Sequence, residues 1–252
     1  MKVVLINPAQ TDKIRNSLYK TISPVALPLG IAYLAAVLEK NHVEVLVFDQ
    51  CVNGMSNDEL VAAVINNDPQ LVGLSCLTPA MGNVIRLIKK IRKDKKNIKV
   101  VLGNIHATVF ADQILEKGWA DFIVKGEGEY SFLELVLALN GKKSMNDVDG
   151  ISFRDCDRII HNRERSFCGN LDELPYPAYH LFDLELYNEC GMLCIYEKFL
   201  PIQASRGCSY RCTFCSQDKI FKKVRTRTVK CVIDEIEYMH DKFKVNCFVF
   251  ED

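Results

Sequence analysis

Leu71-Val72-Gly73-Leu74-Ser75-Cys76-Leu77-Thr78-Pro79 is an apolar run that ends in small and polar residues and a proline. A short apolar run bounded by turn signals suits a strand buried on both faces. A helical pattern follows over Ala80–Lys93, then a second apolar run at Val100–Leu102 and the turn Gly103-Asn104-Ile105-His106-Ala107-Thr108. Strand, helix and strand in that order make a parallel βαβ unit. Working outward, the same alternation predicts strands at Val3–Ile6, Val43–Phe48 and Phe122–Val124, and helices at Pro28–Lys40, Ser56–Asn66, Ala107–Lys117 and Glu129–Asn140. Ser56 and Glu59 have the spacing of a capping box at a helix start. Five strands alternating with helices predict an α/β fold, a doubly wound parallel sheet covered on both faces. In such a sheet the ligand edge lies at the strand C-terminal ends, at the topological switch.

The loops expected at that edge are Asn7-Pro8-Ala9-Gln10, Ser75 to Pro79, Gly103 to Thr108, and Gly126-Glu127-Gly128-Glu129. Small residues let a large ligand approach the backbone, and helix N-termini add unpaired N–H donors.

The chain has 252 residues, 48% hydrophobic and 25% charged, the composition of an ordinary globular protein. Its 32 basic residues balance 32 acidic ones, so no overall field favours nucleic acid or an anionic membrane. The basic stretch Lys89 to Lys99 reads as a solvated helix end. Eleven cysteines, several inside apolar runs (Cys76, Cys194, Cys247), suit buried thiols in a reducing compartment. The apolar run after Met1 is too short for a signal peptide, and no stretch reaches transmembrane length. A cytoplasmic location is expected.

From Gly141 to Phe199 the pattern changes. Ile151–Arg154 and Arg158–His161 flank Asp155-Cys156-Asp157 as a β-hairpin would. Leu171 to Pro177 and the aromatic-rich stretch to Tyr187 read as a linker, with Pro175 and Pro177 forcing extended geometry before them. Cys190 and Cys194 lack further ligands in spacing and read as packing thiols. The expected organisation is therefore an α/β domain over 1–140, a connector over 141–199, and a second unit over 200–252.

That second unit carries Ser205-Arg206-Gly207-Cys208-Ser209-Tyr210-Arg211-Cys212-Thr213-Phe214-Cys215. A strand is expected before it (Leu200–Ala204), a helix after it (Thr228–His240), and a second strand at Val245–Phe250. Three thiolates so spaced can turn toward one centre, as a cubane iron–sulfur cluster requires, and three ligands leave one of its four irons open. A zinc site is the competing reading, with Cys231 or His240 completing it at no recognisable spacing. Three buried structural thiols are the other.

Cys-x3-Cys-x-aromatic-Cys after Ser-Arg-Gly resembles the cluster loop of radical S-adenosylmethionine (SAM) enzymes. The resemblance implies a [4Fe-4S] cluster on Cys208, Cys212 and Cys215, with SAM chelating the open iron and being cleaved reductively to a 5′-deoxyadenosyl radical. It implies the start of a (β/α) barrel, incomplete here because one βα unit and a strand fall far short of closure. Phe214 matches the aromatic beside the adenine, Glu251 and Asp252 match the place that binds the SAM amino group, and Arg206 is positioned to steady the loop or the anionic cluster.

Residues 1–140 resemble the cobalamin (B12)-binding domain that precedes the radical SAM domain in many two-domain enzymes, a flavodoxin-like fold. Pro28 to Glu39, Ser75-Cys76-Leu77, the turn at Gly103, Gly-x-x-His-Ala-Thr and Gly-Glu-Gly-Glu carry the likeness. It implies cobalamin contacts at Asn7, Ser75, Leu77, Thr78, Gly103, Asn104, His106, Gly126, Glu127 and Gly128. Asn104 stands where the family has a second glycine, which crowds the tail pocket. The Asp-x-His-x-x-Gly loop that supplies a cobalt-ligating histidine in methionine-synthase-type domains is absent after the first strand. Cobalt with no protein histidine below it is the expectation, and His106 is read as a hydrogen-bonding loop residue.

The resemblance implies a cobalamin-dependent radical SAM enzyme that transfers a methyl group or performs other radical chemistry at an unactivated carbon. Its partners would be a reductant such as flavodoxin or ferredoxin and an unknown small-molecule substrate, with no nucleic acid and no membrane. Two alternatives stand beside it. One is a cobalamin- or nucleotide-binding module without catalysis. The other is a methylthiotransferase-type enzyme, disfavoured because residues 1–140 contain only Cys51 and Cys76. Because the chain stops early in the barrel, it is expected to be an N-terminal fragment, with residues after about 200 loosely held.

Overall fold

A computed structural model describes residues 1–10, 25–187, 199–210, 212–216 and 223–252. Strand β1 (Lys2–Asn7) sends Val3 and Leu5 into one hydrophobic core and Val4 and Ile6 into another. All four are buried, the pattern of a strand covered on both faces. Strands β2 (Glu44–Asp49), β3 (Leu71–Ser75), β4 (Lys99–Gly103) and β5 (Phe122–Val124) lie parallel to it in the order β2-β1-β3-β4-β5. That order is the flavodoxin-like doubly wound arrangement. The hairpin β6 (Ile151–Asp155) and β7 (Arg158–His161) adds two antiparallel strands beyond β5, so the sheet continues past residue 140.

Helices α1 (Leu29–Lys40) and α6 (Glu129–Leu139) pack on one face of the sheet. Helices α2 (Asn57–Asn66), α3 (Met81–Asp94), α4 (Asn104–Val109) and α5 (Ala111–Glu116) belong to the other. The capping box forms as expected: the Glu59 amide donates to Ser56 Oγ at 3.3 Å, and the Ser56 amide donates to Glu59 Oε2 at 2.7 Å. The single helix expected over 107–117 is instead two short ones. The first begins at Asn104, and Phe110 (φ −112°, ψ 30°) leaves helical geometry between them.

Helix α1 is apolar on every side, with Leu29, Ile31, Ala32, Tyr33, Ala35, Ala36, Val37 and Leu38 all buried. A helix of that kind must be covered all round. Its outer face meets the connector, where the Ala178 amide donates to the Ala32 carbonyl at 3.0 Å. The same core then runs on through Tyr179, Leu200, Ile202, Val232, Met239 and Val245.

The second unit is β8 (Phe199–Ile202), a ribbon of β9 (Ser205–Arg206) with β10 (Arg225–Thr226), α7 (Val229–Phe243) and β11 (Cys247–Phe250). Strands β8 and β11 pair in parallel, Phe199 opposite Cys247 and Ile202 opposite Phe250. Thr228 caps α7 by accepting from the Cys231 amide. Two parts of the second unit, β8 and the inner face of α7, are more firmly packed than expected. Every residue of β8 is buried, and Glu235 of α7 is fully buried in an ion pair with Arg227. Breaking such a buried pair costs about 3–5 kcal/mol. Only β11 meets the expectation of a poorly covered strand, with Val249 and Phe250 exposed. Cys190 and Cys194 lie outside the described residues. No helix among the described residues is long and apolar enough to cross a membrane.

Candidate functional site

A cavity of about 500 Å³ opens where β1, β3, β4 and β5 end, within the range of pockets that enclose a small ligand or the tail of a larger one. Asn7, Ser75, Leu77, Gly103, Asn104, Gly126, Glu127 and Gly128 line it, as the sequence predicts. The opposite wall holds Gln203, Arg206 and Glu251 of the second unit. One space therefore brings together residues expected to contact two different cofactors.

Gly103 forms part of the floor. A Cβ there would find only the Val124 carbonyl oxygen, at 3.7 Å, so the protein itself tolerates a side chain at this point of the cavity. Asn104 has φ +75°, in the left-handed region that asparagine tolerates better than most residues. This explains how it stands where the family has glycine. Its side-chain amide donates to Ser75 Oγ at 3.0 Å, tying the ends of β3 and β4 together.

Asn7 donates to Asp49 Oδ1 at 3.0 Å, and Tyr187 donates to Asp49 Oδ2 at 2.7 Å. Burial pushes the Asp49 carboxyl above the usual range. Burial also pushes the neighbouring Cys51 thiol up to about 12, so it stays protonated at neutral pH. His106 and Thr78 do not line the cavity. The His106 Nδ1 lies 3.1 Å from Thr78 Oγ1, its ring stacks 4.6 Å from Phe110, and burial lowers its pKa. It is a hydrogen-bonding residue of α4 and not of a loop as expected, and none of the cavity's lining residues is a histidine.

Glu127 and Glu129, in the wall of the cavity, pair with buried arginines. Arg225 Nη1 donates to Glu127 Oε2 at 2.9 Å, and its Nη2 to Oε1. Arg206 pairs with Glu129 at 2.7 Å and lies 3.8 Å from Glu127. Its guanidinium also stacks 4.8 Å over the Tyr33 ring. Arg206 thus steadies the loop, through carboxylates of the first domain that sequence reasoning did not connect to it. Their only sequence signal is opposite charge: acids in a glycine-rich turn, and arginines flanking the cysteines.

The three cysteines lie in the sequence between β9 and β10. Gly207 follows β9 at φ +115°, where a Cβ would clash with the Lys223 carbonyl oxygen. Cys208 is half-buried, Cys212 and Cys215 are exposed, and the Cys215 amide donates to the Cys212 carbonyl at 3.0 Å. Their thiols are not gathered: among the described residues no three His, Cys, Asp or Glu side chains stand together as a metal site. The donor set still fits a cluster, since three free thiols on one short loop are soft ligands suited to iron–sulfur and metal sites are seldom preformed without the metal. Phe214 is 89% exposed and apart from the cavity. Glu251 lines it, with its carboxyl raised by burial. Asp252 does not. Its Oδ1 accepts the Ala204 and Ser205 amides at 2.8 and 2.7 Å, fixing the turn that leads into the cysteine loop.

Residues 18–136 match the B12 binding domain family. Over its whole length the chain is 29% identical to an uncharacterized methyltransferase of Pyrococcus horikoshii, covering 53% of that protein. It is 32% identical, over 89% of its length, to the anaerobic magnesium-protoporphyrin IX monomethyl ester cyclase of Rubrivivax gelatinosus, covering 41% of it. The chain thus spans about half the length of the curated relatives it matches. Among solved structures, the cobalamin-dependent S-adenosylmethionine radical enzyme OxsB with aqua-cobalamin and S-adenosylmethionine bound superposes over the whole chain. The TM-score is 0.79 at 23% identity, and the match covers 34% of that protein. Residues 18–136 thus match a B12 binding domain, and the chain as a whole is similar in sequence to methyltransferase and cyclase relatives and shares the fold of that solved enzyme.

Proposed function

We propose that this chain provides the cobalamin site and the cluster loop of a cobalamin-dependent radical SAM enzyme acting on a small-molecule substrate. The observation that carries the proposal is the shared cavity: Ser75, Gly103 and Gly126 of the first domain face Arg206 and Glu251 of the second unit. A cofactor tail seated over Gly103 and a SAM bound near Glu251 would occupy adjoining space.

When bound, a [4Fe-4S] cluster and SAM supply reducing and radical chemistry, and cobalamin supplies methyl transfer. The chain's own residues do the holding. Cys208, Cys212 and Cys215 supply three thiolates and leave one iron open to SAM. Glu251 is the carboxylate for the SAM amino group, whereas Phe214, exposed outside the cavity, makes no wall for its adenine. Ser75, Leu77, Asn104 and the glycines at 103, 126 and 128 receive the cobalamin tail. Asn7 completes that edge of the site, while Thr78, outside the cavity, pairs with His106 behind it. A reductant such as flavodoxin or ferredoxin would deliver the electron. Every described cysteine is a free thiol, which supports a reducing, cytoplasmic setting.

The test is hydroxocobalamin binding followed by electron paramagnetic resonance of the Co(II) state. The expected spectrum lacks nitrogen splitting from the lower axial side and is unchanged in His106→Ala. Splitting that disappears in that variant would assign the histidine to cobalt instead. Absence of corrin binding would leave a nucleotide-binding module as the better reading.

A further inference from the structure

Arg206 and Arg225 are register partners across the β9–β10 ribbon, so two like charges stand opposite each other at the neck of the three-cysteine loop. Opposed like charges destabilise a strand pair. Both arginines are buried, at 7% and 9% exposure, where an unpaired charge is costlier still. The ribbon consists of Ser205, Arg206, Arg225 and Thr226 and contains no carboxylate. Compensation comes from the first domain, far away in sequence, through Glu127 on both arginines and Glu129 on Arg206. The segment that supplies these carboxylates, Gly126 to Glu129, is also a wall of the cavity.

We propose that Glu127 is a positioning residue that clamps the neck of the cysteine loop, so that cobalamin in the cavity and iron on the loop reinforce each other's retention. This inference rests on the proposed function above. A ligand packed against Gly126 and Gly128 restrains the backbone that carries Glu127. The restrained carboxylate keeps Arg206 and Arg225 together, and a closed neck fixes the two ends of the segment that carries Cys208, Cys212 and Cys215. Such coupling is reciprocal: whatever factor cobalamin adds to iron retention, iron must add to cobalamin affinity.

The experiment uses the full chain, reconstituted anaerobically with iron and sulfide and then challenged with a ferrous chelator. Iron loss is followed with and without hydroxocobalamin in the wild type, Glu127→Gln and Glu127→Asp. Hydroxocobalamin is expected to slow wild-type iron loss about fivefold or more, the lower range of allosteric coupling. Glu127→Gln is expected to lose iron faster and gain no protection, and Glu127→Asp to recover part of both. Hydrogen exchange on the wild type adds a reading that needs no variant: hydroxocobalamin should slow exchange of the β9 and β10 amides. Equal iron loss and equal protection in wild type and Glu127→Gln would overturn the clamp, as would neck amides indifferent to hydroxocobalamin. A wild-type chain that takes up no iron would overturn the proposed function and the clamp with it.

Discussion

The Tyr179 hydroxyl donates to Glu235 Oε1 at 2.8 Å, inside the core that joins α1 to the second unit. It also reaches the Pro201 carbonyl at 3.2 Å, so one hydroxyl ties the connector to both α7 and β8. Tyr179→Phe keeps the ring and leaves a buried carboxylate short of a donor, which should cost about 1–3 kcal/mol. Thermal unfolding should show a midpoint several degrees lower. An unchanged midpoint would mean that Arg227 alone satisfies Glu235.

Gly103→Val separates stability from binding. Its Cβ has room, since the one atom within 4 Å is the Val124 carbonyl oxygen at 3.7 Å. The β-branched side chain also suits the extended backbone there (φ −131°, ψ −170°). The melting midpoint should hold while hydroxocobalamin affinity, read by absorbance titration, falls at least about tenfold through lost space. Retained affinity would show that the tail does not lie over Gly103.

Gly207→Ala tests the neck of the cysteine loop. The added methyl clashes with the Lys223 carbonyl oxygen from a backbone at φ +115°, a conformation costing a side-chain-bearing residue about 1–3 kcal/mol. Iron retention should drop, while the hydrogen exchange of β1 and β4 stays as in the wild type. Loss of protection in those two strands would show instead that the whole fold depends on Gly207.

Burial raises the Asp49 carboxyl above its unfolded value, and the sign of its effect on stability follows. The folded state holds the proton more tightly than the unfolded chain. The contribution of Asp49 is therefore complete below the unfolded pKa and is lost as pH rises through the folded one. Asp49→Asn keeps the acceptor for Asn7 and the Cys51 amide, and Tyr187 can accept from the new amide. Denaturant titrations across the acid range should show a flatter pH dependence in this variant than in the wild type. Parallel curves would mean that Asp49 is not the titrating group.

Much of this molecule is legible one residue at a time. Val3 to Ile6 and Val100 to Leu102 read as strands because both faces of the sheet are covered. Ser56 and Glu59 announce a helix because the capping bonds are local. The edge loops at Ser75, Gly103 and Gly126 follow from strand order, and they line the cavity. The break at Phe110 was not legible, since neither proline nor glycine marks it. The salt bridges of Glu127 and Glu129 with Arg206 and Arg225 join distant segments, and no periodicity encodes such a pairing. For the same reason Asp252, read as a ligand contact, proves to be a backbone acceptor at Ala204 and Ser205.

The central claim is that one chain holds an iron–sulfur cluster and a corrin side by side. Iron, sulfide and cobalt analysis of the anaerobically reconstituted chain tests it most directly. The account predicts about four irons and four sulfides with one corrin per chain, and Cys212→Ala should lose the iron while keeping the corrin. Stoichiometric zinc in place of iron, or full iron loading in Cys212→Ala, would contradict it.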